Sequence, residues 1–165
     1  MNFNILVVLA TGFIPLILGF LWYNPKTLGN AWMKEADMNE DKMKGANMMM
    51  IFGVSLVLGM MLALGLAVAV IHQNHLYSVL MHSGVENPDS EAHKLYMDFM
   101  AKYGTEFRTF GHGAMHGFLT SLFVIFPAMG VNALFERKSW KYIFINYGFW
   151  AVCSIIMGGI ICAWA

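Results

Sequence analysis

Six histidines, His72, His75, His82, His93, His112 and His116, are the residues whose type and spacing best suit chemistry in this chain. His112 and His116 are four apart and share one face of a helix, continued by Thr120 and preceded by Thr105 and Thr109, while His72 and His75 are three apart. Neutral imidazole ligates zinc, copper, nickel and haem iron, and histidines paired at these spacings on neighbouring helices are a common way to build such a site. The chemistry suggested is therefore a divalent metal or a haem held by His72, His75, His112 and His116. As a motif the spacing is weak, because no His-Glu-x-x-His is present and histidines at a helix mouth more often bond backbone and water. The first expectation is that no cofactor is bound.

Other reactive types point less far. The fifteen methionines offer soft ligands for cuprous ion in principle, but only Met97 and Met100 form a Met-x-x-Met pair, and adaptable packing explains the rest. Cys153 and Cys162 are nine apart within one apolar run, which matches neither a disulfide framework nor a thiolate zinc site. Asn24, Asn132, Glu136 and Asn146 fall near span ends that a short loop brings together, and a bridge between Asn132 and Asn146 would fasten two helices with about 1 kcal/mol. Signatures for nucleophilic hydrolysis, phosphate cradling and dinucleotide binding are missing, so an enzyme of those kinds is not expected.

The elements that must position the histidines are membrane helices. Of 165 residues, 58% are hydrophobic and 12% charged, outside the range of a soluble domain. Four runs, Phe3 to Trp22, Met48 to Ile71, Gly113 to Leu134 and Tyr142 to Trp164, each reach the roughly twenty residues that cross a hydrocarbon core, and all twenty formal charges lie outside them. Continuous apolar runs indicate helices rather than alternating barrel strands. The first run follows Met1-Asn2 without a basic stretch or small-residue cleavage site, so it reads as a span rather than a signal peptide. The fold class is an all-α, four-helix membrane bundle, one integral membrane domain over 1–165. Balanced charge, ten basic against ten acidic residues, argues against a nucleic-acid partner.

Seven basic residues (Lys26, Lys34, Lys42, Lys44, Arg137, Lys138 and Lys141) lie on one side of the spans and three (Lys94, Lys102 and Arg108) on the other. The seven-residue side is expected in the cytoplasm, with both termini and every histidine outside. Trp22, Tyr23 and Trp32 are expected at headgroup level as interface aromatics. Asn39 with Glu40 and Asp41 reads as a helix start in water that runs on into the second span. In the loop between spans two and three, Asn87-Pro88-Asp89-Ser90-Glu91 opens an amphipathic helix over about 88–110, expected to cover the outer mouth. Pro15 and Pro127 should bend their helices. Small residues recur at four-residue steps as Ser55, Gly59 and Ala63, as Gly113 and Gly117, and as Ser154, Gly158 and Cys162, faces suited to close helix contact.

The pattern Trp22-Tyr23-Asn24-Pro25 with Gly29 and Trp32, Leu134-Phe135-Glu136, Tyr142-Ile143-Phe144-Ile145-Asn146-Tyr147-Gly148, Met157-Gly158 and Trp164 resembles a bacterial four-span family catalogued as domain-of-unknown-function family 1761. The resemblance covers the first span with its loop, and the chain from the end of the third span onward. It implies a fold and a place in the bacterial cytoplasmic membrane, and supplies no activity. Residues and resemblance together lead to a structural or accessory membrane protein, associating with itself or with another membrane protein through its small-residue faces. The alternative is a metal- or haem-binding redox or transport component using the histidines.

Overall fold

The computed structural model describes residues 3–165, which are helical with no strand among them. The first span is two helices, α1 (Ile5–Thr11) and α2 (Ile14–Trp22). Pro15 sits in the first turn of α2, where its ring would clash with the carbonyl four residues back if the helix ran straight through. Two short helices follow, α3 (Gly29–Glu35) and α4 (Glu40–Met43). Residue 39 does not start the second span as expected: the chain turns at Gly45, whose φ is +82°, and Asn47 caps α5 (Met48–Val70) through its side-chain oxygen. The third span is α8 (Phe110–Thr120), a five-residue π-helical segment Ser121–Ile125, and α9 (Phe126–Phe135). Pro127 falls just after that segment, so the bend is taken up as a local widening of the helix. The fourth span, α10 (Trp140–Trp164), is continuous.

Between spans two and three the chain forms α6 (Gln73–Leu80), which the sequence patterns did not disclose, and α7 (Glu91–Tyr103). The start of α7 is three residues later than the expected 88, because Ser90 is the capping residue and accepts from the His93 amide. It also stops at Tyr103, well before 110. Residues 104–109 form a turn, and Thr109 caps α8 afresh, so α7 packs on α6 and does not continue the third span.

All four candidate spans are long and apolar enough to cross a bilayer, and α10 is their centre: half (50%) of its most apolar stretch is buried, against 17–22% for the others. It touches α1, α2, α5, α8 and α9. Backbone proximity makes this possible. A methyl group added at Gly117 would run into the Ser154 carbonyl, and one at Gly113 into the Gly158 carbonyl and the Cys162 side chain. Likewise α1 and α5 cross where a methyl at Gly59 would lie 2.5 Å from the Gly12 carbonyl oxygen. The small-residue faces expected to serve association are thus spent inside the chain at Gly59, Ala63, Gly113, Gly117, Ser154, Gly158 and Cys162, all buried. Lipid-facing surface remains on spans one to three, where Leu6, Phe20, Met49 and Phe123 are among the most exposed side chains.

Gly117→Ala should therefore destabilise the bundle by about 1–3 kcal/mol, since backbone rather than a flexible side chain must move. Gly65→Ala, where an added methyl meets nothing within 4 Å, should be neutral or stabilise by up to about 1 kcal/mol. Unfolding in mixed micelles measures both. Equal losses at the two positions would contradict the proposed crossing.

Candidate functional sites at the two ends of the bundle

Of the seven basic side chains expected on one side, Lys34 and Lys141 lie near Glu35, and Lys42 and Lys138 near Asp37. Ser139 caps α10 by accepting from the Tyr142 amide and donates to the Glu35 carboxylate at 2.5 Å, while Lys138 donates to the Ala36 carbonyl at 3.2 Å. Lys141 lies 3.7 Å from Glu35. The Ser139 hydroxyl, and then Lys141, hold the Glu35 carboxyl below its ordinary range. The loop after span one is thereby latched to the loop before span four.

The aromatic and amide residues at this end do more than float at headgroup level. The indole nitrogen of Trp22 donates to the Ile145 carbonyl at 3.1 Å, and the Tyr23 hydroxyl donates to the Asn146 side-chain oxygen at 2.9 Å. Burial pushes the Tyr23 hydroxyl well above its usual range, keeping it a donor. Tyr23 also meets Trp32 edge to face and Phe149 at ring-centroid distances of 5.4 and 5.1 Å. Asn146 thus joins span four to span one. Its nitrogen is used on the Tyr142 carbonyl, and Asn132, the partner expected from sequence, is exposed. The π-helical segment changes the helical phase between α8 and α9, and in α9 it is Ala133 that is buried while Val131 and Asn132 are exposed. Asn24 acts locally, its side chain accepting from the Lys26 amide at 2.9 Å.

The histidine end is built from three elements. Span two finishes at Val70, Ile71 is extended, and His72 stands at the entry to α6, directed across the bundle end. His112 and His116 come from the first two turns of α8, each one residue before a glycine locked against α10. Thr109 accepts from the His112 amide, and Thr120 donates to the His116 carbonyl at 2.9 Å. The result is a triangle. One ring nitrogen of each of His72, His112 and His116 lies within 4.8 Å of the other two, and the Nε2 atoms of His72 and His112 are 2.9 Å apart. Burial, and then the nearby His116 and His75, hold the His72 imidazole below its ordinary range, so it is neutral at pH 7. All three rings are half-buried.

The remaining histidines differ in place. His75 lies beside His72, ring centroids 6.2 Å apart, but contributes no nitrogen to the triangle and is exposed. Exposed too is His82, in the 3-10 turn Met81–Ser83. His93 is committed to its own loop, with Nδ1 2.8 Å from the Val85 carbonyl. One residue that spacing gave no hint of is Phe107, whose ring lies against His112 at 5.0 Å and 31°. Its φ of +61° is uncommon for a bulky residue, and no side-chain pattern announces it.

Helices long and apolar enough to span, gathered round a central fourth, define a multi-pass membrane protein with a histidine triangle at one end. The family model described as "Protein of unknown function (DUF1761)" matches residues 6–162, and the chain belongs to that family. No curated protein matches it, and no solved structure does.

Removing the Tyr23 hydroxyl (Tyr23→Phe) and the Asn146 amide (Asn146→Leu) should show a coupling of about 1 kcal/mol in a double-mutant cycle. Asn132→Leu combined with Asn146→Leu should be additive. Coupling in the second pair and none in the first would reverse the assignment.

Proposed function

We propose that this protein binds a first-row transition-metal ion in the membrane through His72, His112 and His116. The carrying observation is the mutual closeness of their three ring nitrogens. On a tetrahedral zinc ion with Zn–N bonds of about 2.0–2.1 Å, two imidazole nitrogens sit roughly 3.3 Å apart. The 2.9 Å between His72 and His112 needs only a few tenths of an ångström to reach that spacing. The hydrogen bond between these rings requires a proton on one of the two Nε2 atoms, and a metal would displace it. A haem is a poorer fit, because two axial imidazoles must stand on opposite faces of the macrocycle, and rings at hydrogen-bond distance leave no gap for it.

Three imidazoles with no carboxylate or thiolate suit zinc, copper, nickel or iron and leave a coordination position open. The small-residue faces pack within the chain, so an accessory role would use other surfaces of the spans. The basic asymmetry supports a cytoplasmic lysine end with the histidine triangle on the far side of the membrane, and the family resemblance favours a bacterial inner membrane.

Protein purified without an affinity tag and exposed to zinc, copper, nickel or iron should hold about one ion per chain. His116→Ala should weaken binding by roughly tenfold or more, and His93→Ala should leave it unchanged. A chain that stays metal-free with all four ions removes the proposal. For orientation, cysteines replacing the exposed Lys34 and Lys94 one at a time test the two ends: an impermeant thiol reagent applied to intact cells should label position 94 and spare 34. Labelling of 34 alone would invert the topology.

A further inference from the structure

Next to the triangle lies a cavity of about 630 Å³, within the size range of small-molecule sites. Leu76 of α6, Phe99 and Tyr103 of α7, and Phe107 line it, with His72 in the same wall. Gln73, more than nine-tenths buried, ties this wall together: its amide nitrogen donates to the carbonyls of Tyr103 at 3.3 Å and Glu106 at 2.9 Å, so its donor capacity is spent on the protein. Phe99 and Tyr103 lie with ring centroids 5.1 Å apart. Phe107 belongs to both features, lining the cavity and lying against His112. Its left-handed backbone is held from two sides, the Phe107 carbonyl accepting from the Thr109 amide at 2.8 Å and lying 3.2 Å from the Cys162 thiol. Non-glycine residues in this region cost of order 1 kcal/mol or more and persist where surroundings over-determine them. Here the outcome is an aromatic ring placed between an apolar cavity and a metal-ligating side chain.

We propose that the cavity binds a small, uncharged aromatic molecule bearing an oxygen donor, with its ring among Leu76, Phe99, Tyr103 and Phe107 and its oxygen on the metal held by the histidines. The inference rests on the metal reading above. Each part of the occupant follows from the wall. Three aromatic side chains favour a flat ring, which gains edge and face contacts beyond its buried area. A lone anion would be disfavoured by the negative charge of Glu106, a lining residue, so the donor is neutral until it reaches the metal. The Gln73 nitrogen is already engaged, and its oxygen and the Glu106 carboxylate only accept, so an oxygen lone pair of the occupant is met by the Tyr103 hydroxyl or by the open metal position beside His72, of which the metal is the stronger anchor.

Cobalt-loaded protein gives the test, because the visible absorption of Co(II) reports a change in its ligands. Benzohydroxamic acid, which joins a ring to an oxygen donor, is compared with acetohydroxamic acid, which keeps the donor and lacks the ring, and with octanohydroxamic acid, which carries an acyl chain. The expected result is that the benzo compound shifts the spectrum at a concentration roughly tenfold or more below the aceto compound. Leu76→Trp, filling the cavity, should abolish that preference while cobalt content stays at the wild-type level, and Phe99→Ala, enlarging it, should reduce it. Equal potency of the ring and methyl probes, or a preference untouched in both variants, overturns the cavity assignment with the metal site intact. Tighter binding of the octano compound overturns the aromatic choice in favour of an acyl chain. Failure of cobalt, zinc, copper, nickel and iron alike to bind would overturn the metal reading itself, and this proposal with it.

Discussion

The near contact of two backbones, at Gly113 and Gly117 on one helix and Ser154 and Gly158 on the other, is the constraint on which the rest of the structure depends. In lipid there is no hydrophobic gain from joining two apolar helices, so cohesion comes from dispersion at short range and from polar contacts. At positions 113, 117 and 158 only glycine permits the approach seen here. The same two glycines follow directly on His112 and His116, so the packing that holds the bundle also fixes the rotation and height of both rings. His72 reaches them from a separate span, and its placement depends on α5 ending at Val70 where the Cys162 thiol lies 3.4 Å from the Val70 carbonyl.

Cohesion at the opposite end has a different character. There the contacts are aromatic and polar: Trp22 and Tyr23 reach across to Ile145 and Asn146, and Glu35 meets Ser139 and Lys141. The Trp22 and Tyr23 bonds are each worth on the order of 1 kcal/mol, and the Glu35 contacts are weakened by solvent. Together they clamp span one against span four at the end where Gly113 and Gly117 do not reach. Within span three the π-helical segment separates α8, in register for the glycine crossing, from α9, which runs in another phase.

Much of this was legible beforehand. The spans follow from the exclusion of charge from lipid, a cost large enough to write itself into composition, and their ends agree within a few residues with the helices observed. His112 and His116 on one face follow from helical period alone. What escaped was whatever depends on a distant element. Asn146 was assigned to Asn132 because short loops join neighbours, and the phase change from Ser121–Ile125 has no marker in side-chain type beyond Pro127. His75 looked equivalent to His72 by spacing, yet the chain breaks between α5 and α6 and the two rings part. Phe107 had no signal, because a left-handed backbone at a phenylalanine is set by surroundings rather than by its own preference. Finally, α7 ended earlier than its hydrophobic period suggested, since Thr109 competes for the helix start and Gly104 takes the preceding end.

The central position of α10 carries a consequence for biogenesis. Among the four spans it is the last to be synthesised, and it is also the one that most of the inter-span packing requires. Until it enters the bilayer, α8 has only a lighter contact with α5, and the glycine face that orients its histidines is open to lipid. Spans one and two meet directly at Gly12 and Gly59, whereas α8 of span three packs chiefly on α10, so its place in the bundle depends on the arrival of the fourth span. Before α10 enters the bilayer, the surface on which Gly113 and Gly117 pack is missing, and nothing yet fixes His112 and His116 against His72.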